Sequence, residues 1–224
     1  MLELSVREVR FYTPDIFELF LERGGYEFET GECAVLFDSS GDSRPYSISS
    51  APNDPVLSFL IRRQPGGSLS NFLAERSVGD SVRISLPFGD FRPSVSERPA
   101  VLIATGVGIA PFLSLVRSGG QVSCLSTSAS LFCLYGVRYV NEVIEHSFFQ
   151  NNSTLSLAVS REAVGGCYHG RVSGLIETID LPDDADFFLC GYDSMIDDVF
   201  ARLRVRGVLD SRIHTEVFFS SVKY

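Results

Sequence analysis

The apolar positions of the first part of the chain come in short runs, at residues 2–9, 16–21, 33–37, 56–61 and 82–86, each closed by Gly, Pro, Asn or Asp. Short apolar runs cut by turn-forming residues predict strands, and their even spacing predicts a small antiparallel β-barrel. One helical stretch, residues 69–76, follows Gly66 and Gly67. From Arg98 onward the rhythm changes. Apolar runs at 100–104, 131–135, 155–159, 186–189 and 213–218 alternate with helical patterns at 111–117, 140–148, 170–177 and 194–206. Strands alternating with helices predict an α/β domain built on a doubly wound parallel sheet. Pro87, Pro93 and Pro99 bracket the change, so the boundary falls within residues 93–99. The expected division is a barrel domain over residues 1–96 and an α/β domain over residues 97–224.

Composition supports a globular chain and narrows its partners. With 45% hydrophobic and 21% charged residues in 224, a disordered, collagen-like or coiled-coil protein is ruled out. The net charge is −9, and neither side of Ser96 is basic: 9 basic and 14 acidic residues precede it, 10 and 14 follow. Such a field repels nucleic acid and anionic lipid. Cys33, Cys124, Cys133, Cys167 and Cys190 are scattered, with no iron-sulfur spacing, and read as reduced thiols. The opening MLELSVREVR carries charges where a signal peptide is apolar, and the most apolar window is broken by Gly106, Gly108 and Pro111. A cytoplasmic monomer with no membrane span is the expectation.

The chemistry-bearing segments begin with AVLIATGVGIAP, residues 100–111, an apolar strand running into Gly106-x-Gly108-x-x-Pro111. Glycines at a strand-to-helix turn let a phosphate approach backbone N–H groups at the helix start, and Pro suits the first helical turn because its missing N–H has no partner there. A glycine turn that merely packs helix on strand is the competing reading of this motif alone. Upstream stand Arg44-Pro45-Tyr46-Ser47 and Gly66-Gly67-Ser68-Leu69-Ser70, and downstream Cys190-Gly191-x-x-x-Met195 and Glu216-Val217-Phe218. Arg138, Ser160, Arg161 and Arg171 fall at or just after strand ends, in a chain with 18 Arg and one Lys. His146, His169 and His214 have no metal spacing, and no Ser-His-Asp pattern or carboxylate pair suggests hydrolysis.

In order and spacing over nearly the whole chain, these motifs resemble the ferredoxin-NADP reductase superfamily, and the stretches VSRE and GRVSGLIE resemble the NADP-binding segment of its bacterial ferredoxin or flavodoxin reductases. The resemblance implies FAD on the barrel, with Arg44 on the flavin diphosphate, Tyr46 against the isoalloxazine and Ser47 toward N5. It implies a phosphate cradle of N–H groups across Gly66, Gly67, Ser68 and Ser70. It further implies NADP(H) on the α/β domain, with Gly106, Gly108 and Pro111 at the nucleotide turn and Arg138, Ser160, Arg161 and Arg171 around the 2′-phosphate. Ser47, Cys190, Glu216 and Phe218 match the residues lining the hydride-transfer site, in a cleft between the domains. Because the chain continues past Phe218, either Phe218 or Tyr224 covers the flavin.

The implied activity is an FAD-dependent reductase that passes hydride between NADPH and FAD and single electrons to or from a ferredoxin or flavodoxin. Two alternatives remain: an NADH-dependent reductase of a multicomponent oxygenase or of free flavins, and a nucleotide-sensing regulator with little turnover. Joint retention of Ser47, Cys190 and Glu216 speaks against the regulator.

Overall fold

In the computed structural model, residues 1–93, 98–118 and 131–216 are described. The chain separates into two compact units, one of Met1–Asp90 with Ala110–Ser118, the other of Phe91–Ile109 with Gly119–Tyr224. Of the expected boundary segment, residues 94–97 lie outside the described ones.

The first unit is an antiparallel sheet of six strands: β1 (Leu2–Thr13), β2 (Ile16–Glu22), β3 (Cys33–Phe37), β4 (Ser43–Ser47), β5 (Val56–Arg62) and β6 (Ser81–Ile84), ordered β4-β3-β6-β1-β2-β5. The outer strands meet. Ile48, just past β4, bridges Phe59 of β5, and Ser49 N–H donates to Ser58 O at 2.8 Å, which closes the sheet on itself. Inward side chains such as Val6, Phe17, Leu19, Leu36, Phe59 and Ile84 fill the interior and are at most 1% exposed. At roughly 25 cal/mol per Å² of apolar area withdrawn from water, that burial is the main stabilising term. Helix α1 (Ser68–Ala74) sets Leu69 and Leu73 into the same core.

β4 is a strand that falls in none of the apolar runs of the sequence. Pro45 sits in its middle and lacks the N–H a two-sided ladder requires, yet β4 is first in the strand order and pairs on one side with β3.

The second unit has a parallel sheet of β7 (Ala100–Thr105), β8 (Leu131–Val137), β9 (Thr154–Val159), β10 (Tyr168–His169), β11 (Asp186–Cys190) and β12 (Ile213–Glu216), ordered β10-β9-β8-β7-β11-β12. From β7 the chain steps outward through β8, β9 and β10, then returns to place β11 on the other side of β7. Helices α2 (Ala110–Arg117), α3 (His146–Asn152), α4 (Val172–Leu175) and α5 (Asp193–Val205) complete the elements. On α5, Met195, Ile196, Val199 and Leu203 share one face and bury it in the core of this unit. By contact α2 groups with the barrel strands, and all its residues except the last are buried.

The expected helix over residues 140–148 is instead a 3-10 turn, Val140–Glu142, followed by α3. Two features prevent one helix. Glu142 turns its carboxylate back onto the N–H of Arg138 at 3.0 Å, and Glu145 takes a left-handed φ of 54°. The expected helix over 170–177 shrinks to α4, because Gly170 has φ 150° and Arg171 is extended. Among the described residues, no helix is long and apolar enough to cross a membrane.

Candidate functional site

On the barrel, the alternation of β4 puts Arg44 and Tyr46 on one face and Ser47 on the other, where it pairs with Cys33 and is 6% exposed. Arg44 is exposed, and its Nη1 donates to Asp42 Oδ1 and to the Ser43 carbonyl, both at 2.6 Å. Tyr46 lies half-buried against the core. Burial, partly countered by Arg44, pushes its phenol up to about 12, so the ring stays neutral at physiological pH.

The second barrel element is the turn into α1. Gly66 has φ 73°, in the region that suits glycine. A Cβ on Gly67 would stand 3.0 Å from both Gln64 Cβ and Ser70 Oγ, so the turn is tight there and a side chain would push its neighbours aside. Gly67 N–H donates to Gln64 O at 3.0 Å, and Ser70 Oγ accepts from Gln64 N–H at 3.0 Å. Gly67 occupies the N-cap position without a side chain to offer, leaving the first N–H groups of α1 uncapped. Ser68 Oγ donates to Asp38 Oδ2 at 2.8 Å. An exposed guanidinium, a half-buried phenol and an uncapped turn form a donor set that fits a diphosphate joined to an aromatic ring.

In the second unit, the reversal of strand order falls between β7 and β11. The carboxyl ends of strands beside such a reversal leave a crevice where open α/β sheets bind ligands. Both glycine motifs are there. Gly106 opens a 3-10 turn after β7 with φ 54°, and its carbonyl accepts from the Tyr135 hydroxyl at 3.1 Å. A Cβ on Gly108 would stand 2.4 Å from Cys190 O and 2.6 Å from Gly191 Cα, so the turn after β7 rests directly on the Cys190–Gly191 backbone. Gly191, with φ 149°, is held as tightly: a Cβ there would reach 2.1 Å from Thr105 Oγ1. Thr105 Oγ1 in turn accepts from Tyr192 N–H at 3.1 Å. Pro111 is the second residue of α2.

Cys190 and Glu216 are direct partners on the parallel pair β11 and β12. Cys190 Sγ donates to Glu216 Oε2 at 3.8 Å, with the cysteine 1% exposed. The pairing brings two of the four expected hydride-site residues together. Phe218 and Tyr224 lie outside the described residues.

The four residues expected at the 2′-phosphate gather at the carboxyl ends of β8, β9 and β10. Ser160 N–H donates to Val137 O at 3.1 Å and Arg161 N–H to Arg138 O at 2.9 Å, carrying the β8–β9 ladder past its last paired residues. Arg161 is exposed, with its guanidinium 5.9 Å from the Tyr139 ring centre. Arg171 is exposed ahead of α4. Arg138 differs: its Nη2 and Nε reach Oε1 of buried Glu142 at 2.6 and 3.0 Å, so much of its charge is balanced within the fold.

Several groups escape the sequence reading. Glu18 of β2 is fully buried, and its carboxylate accepts from Tyr12 OH at 2.8 Å, Ser58 Oγ at 2.8 Å, Ser49 Oγ at 2.9 Å and Arg117 Nη1 at 2.6 Å. Burial pushes its pKa up, but the Arg117 pair and the hydroxyl donors outweigh burial and hold it below the usual carboxylate range. An acid in the apolar run IFELF and an arginine ending an apolar helix carry the signal, but their pairing requires the fold. Asp38, at the end of β3, has no sequence motif at all.

Residues 6–92 match the oxidoreductase FAD-binding domain family. Among curated relatives, the chain is similar to the ferredoxin--NAD(P)(+) reductase component of the naphthalene 1,2-dioxygenase/salicylate 5-hydroxylase systems of a Ralstonia species, 33% identical over 87% of this chain and 62% of the relative. It is 27% identical to the flavodoxin/ferredoxin--NADP reductase of Escherichia coli K12, over 87% of this chain and 86% of that one. The chain spans about three fifths of the length of the first oxygenase-system relatives it matches. Its fold superposes on a ferredoxin NADP+ reductase from Neisseria gonorrhoeae, solved with bound FAD and NADP, with TM-score 0.82, 22% identity and coverage of 97% and 98% of the two chains. A closed six-stranded barrel whose residues 6–92 match the oxidoreductase FAD-binding domain family, followed by a parallel sheet whose glycine turns meet at the strand reversal, gives this chain the fold of that ferredoxin NADP+ reductase.

Proposed function

We propose that the chain is an FAD-dependent NADPH reductase working with a small one-electron carrier, a ferredoxin or flavodoxin, its barrel domain spanning residues 1–96 and its nucleotide domain residues 97–224. The observation that carries this reading is the close approach of Gly108 to Cys190–Gly191 at the strand reversal, with Cys190 paired to Glu216. When bound, FAD supplies a ring that accepts hydride from a reduced nicotinamide and yields electrons singly.

The residues of the chain bind, orient and shield. Arg44 exchanges its exposed pairing with Asp42 for the flavin diphosphate, and the uncapped turn at Gly67 adds N–H donors. Tyr46 offers a neutral ring as an apolar wall, and the Ser47 hydroxyl serves N5 as a hydrogen-bond partner. Gly106 and Gly108 let the nucleotide diphosphate approach backbone N–H groups closely. Cys190 gives the nicotinamide a small, polarisable seat, and Glu216 holds the thiol proton in place. With Arg138 engaged by Glu142, selection of the 2′-phosphate rests chiefly on Ser160, Arg161 and Arg171. Holding two reactants in register contributes about 7–11 kcal/mol to lowering a barrier, more than any single hydrogen bond here, so alignment is the main contribution of the protein.

A second reading, the NADH-using reductase of an oxygenase system, draws on the Ralstonia relative. Anaerobic stopped-flow reduction of the flavin by NADPH and by NADH, followed by transfer to ferredoxin, flavodoxin or an oxygenase component, separates the two. Faster reduction by NADPH and delivery to a free carrier supports the first reading. No reduction by either nucleotide overturns both.

A further inference from the structure

The two motifs assigned to the flavin diphosphate, around Arg44 and around Gly67, belong to different elements more than twenty residues apart in sequence. Both must be fixed if they are to hold one ligand, and neither motif fixes the other. The group linking them is Asp38, which no motif flags. Its carboxylate is 4% exposed and accepts four hydrogen bonds from two directions. Oδ1 takes the N–H of Ser40 at 2.8 Å, the hydroxyl of Ser40 at 2.7 Å and the N–H of Asp42 at 2.9 Å. Oδ2 takes the Ser68 hydroxyl at 2.8 Å, at the first residue of α1.

The main chain of Asp38 is fastened as well. Its N–H donates to Asp42 O at 2.9 Å, and its carbonyl accepts from Arg83 Nη2 at 2.5 Å. Asp42, held by this hairpin, is the residue whose carboxylate accepts from Arg44 Nη1 at 2.6 Å. One buried carboxylate thus spans the Arg44 hairpin and the start of α1, each of its oxygens accepting from the backbone or side chains it joins.

We propose that Asp38 is a positioning residue for FAD: it clasps the hairpin bearing Arg44 to the turn bearing Gly67 and so presets the spacing of the two arms that hold the diphosphate. This rests on the reading of Arg44 as a diphosphate ligand. A preset cradle spares the ligand the cost of ordering its own site, so opening the clasp acts on the diphosphate and leaves the ring's contacts intact.

The test is the rate of FAD release from the holoprotein on dilution, read by recovery of flavin fluorescence, in Asp38→Ala, Ser68→Ala, Arg44→Ala and the Asp38→Ala/Arg44→Ala pair. Hydrogen bonds to a charged group set the scale, so Asp38→Ala is expected to speed release about 10- to 100-fold and Ser68→Ala by less. In the Arg44→Ala background, Asp38→Ala should add much less than it does alone, because its target is gone. Riboflavin, which lacks the diphosphate, should bind deflavinated wild type and Asp38→Ala equally well. A purely structural Asp38 would weaken both flavins and add in full to Arg44→Ala, and either result overturns the clasp. If Asp38→Ala does not fold, Ser68→Ala decides, and unchanged release from it overturns the clasp. Faster release from Arg44→Ala alone leaves the reading of Arg44 standing and refutes the clasp. No effect of Arg44→Ala refutes that reading and the clasp with it.

Discussion

Arg117→Met should be among the most damaging single substitutions outside the cofactor motifs. Glu18 is fully buried, and Arg117 sets a positive charge against it, at 2.6 Å through Nη1 and 3.3 Å through Nη2. Methionine keeps most of the apolar stem of the arginine, so the change removes charge more than packing. What remains is an ionised carboxylate inside the barrel supported by three neutral hydroxyls, from Tyr12, Ser49 and Ser58. Stranding one partner of a buried ion pair costs about 3–5 kcal/mol. For a chain of this size about 2–4 °C accompanies each kcal/mol, so the melting temperature of the barrel should fall by roughly 6–20 °C. Glu18→Gln should cost less, because the Arg117 side chain is 15% exposed and can turn its charge toward water, an exit closed to Glu18.

Glu18→Gln/Arg117→Met is the decisive variant. The oxygen of a neutral amide accepts from the Ser49 and Ser58 hydroxyls, and its NH2, in place of Oε2, can donate to the Tyr12 hydroxyl oxygen once that hydroxyl rotates. The double variant should therefore recover most of what Arg117→Met loses. The pH dependence follows from the sign of the shift. In the wild type Glu18 is held below its unfolded value, so its contribution is present above about pH 4.3 and is lost as the pH falls through the lower folded value. Without Arg117, burial raises Glu18 instead. The deficit of Arg117→Met should then be largest near neutrality and shrink toward pH 4. Scanning calorimetry from pH 4 to 8, with flavin fluorescence as the probe of the barrel, measures all of this. A double variant no more stable than Arg117→Met, or a deficit constant with pH, refutes the account.

Further outcomes follow from the second unit. Gly108→Ala would drive a Cβ to 2.4 Å from Cys190 O, so flavin reduction by NADPH should be largely lost while FAD stays bound; normal reduction kinetics in that variant would mean that the turn is not the nucleotide seat. Arg161→Ala should weaken NADPH by about 10- to 100-fold and NADH little, checked by the ratio of their KM values; equal losses would assign Arg161 to the shared part of the nucleotide. Glu142→Gln should release Arg138 from its 2.6 Å pair and thereby tighten binding of 2′,5′-ADP by calorimetry, and no change would exclude Arg138 from that subsite. Cys190→Ala should slow flavin reduction in stopped flow without altering the visible spectrum, and a wild-type rate would remove Cys190 from the site.

Much of the fold was legible because periodicity and turn chemistry agree with it. The change of rhythm after β6 separates an antiparallel sheet from a parallel one, and β3 spans the residues that the apolar run marks. The exceptions have physical causes. β4 was hidden by Pro45, which is compatible with a strand only on a sheet edge, and edges are a property of the assembled sheet. The break in the helix expected over 140–148 depends on Glu142 finding Arg138, a pairing decided by where β8 ends. Local pattern could register neither.

The site divides in the same way. Glycine motifs are visible in sequence because a single residue type answers the constraint: at Gly108 the Cys190–Gly191 backbone, and at Gly191 the Thr105 hydroxyl, leave no room for a Cβ. Buried polar clasps are different, because an aspartate or glutamate in a strand reads the same whether it faces water or a ring of donors. Asp38 and Glu18 differ from the chain's other acids in what surrounds them, and that depends on residues up to 99 positions away. On the proposed reading the motifs name the atoms that would meet the ligands, while the groups that hold those atoms in register emerge only once the barrel has closed. If alignment is the main contribution of the protein, as proposed, the second set governs how well the first one works.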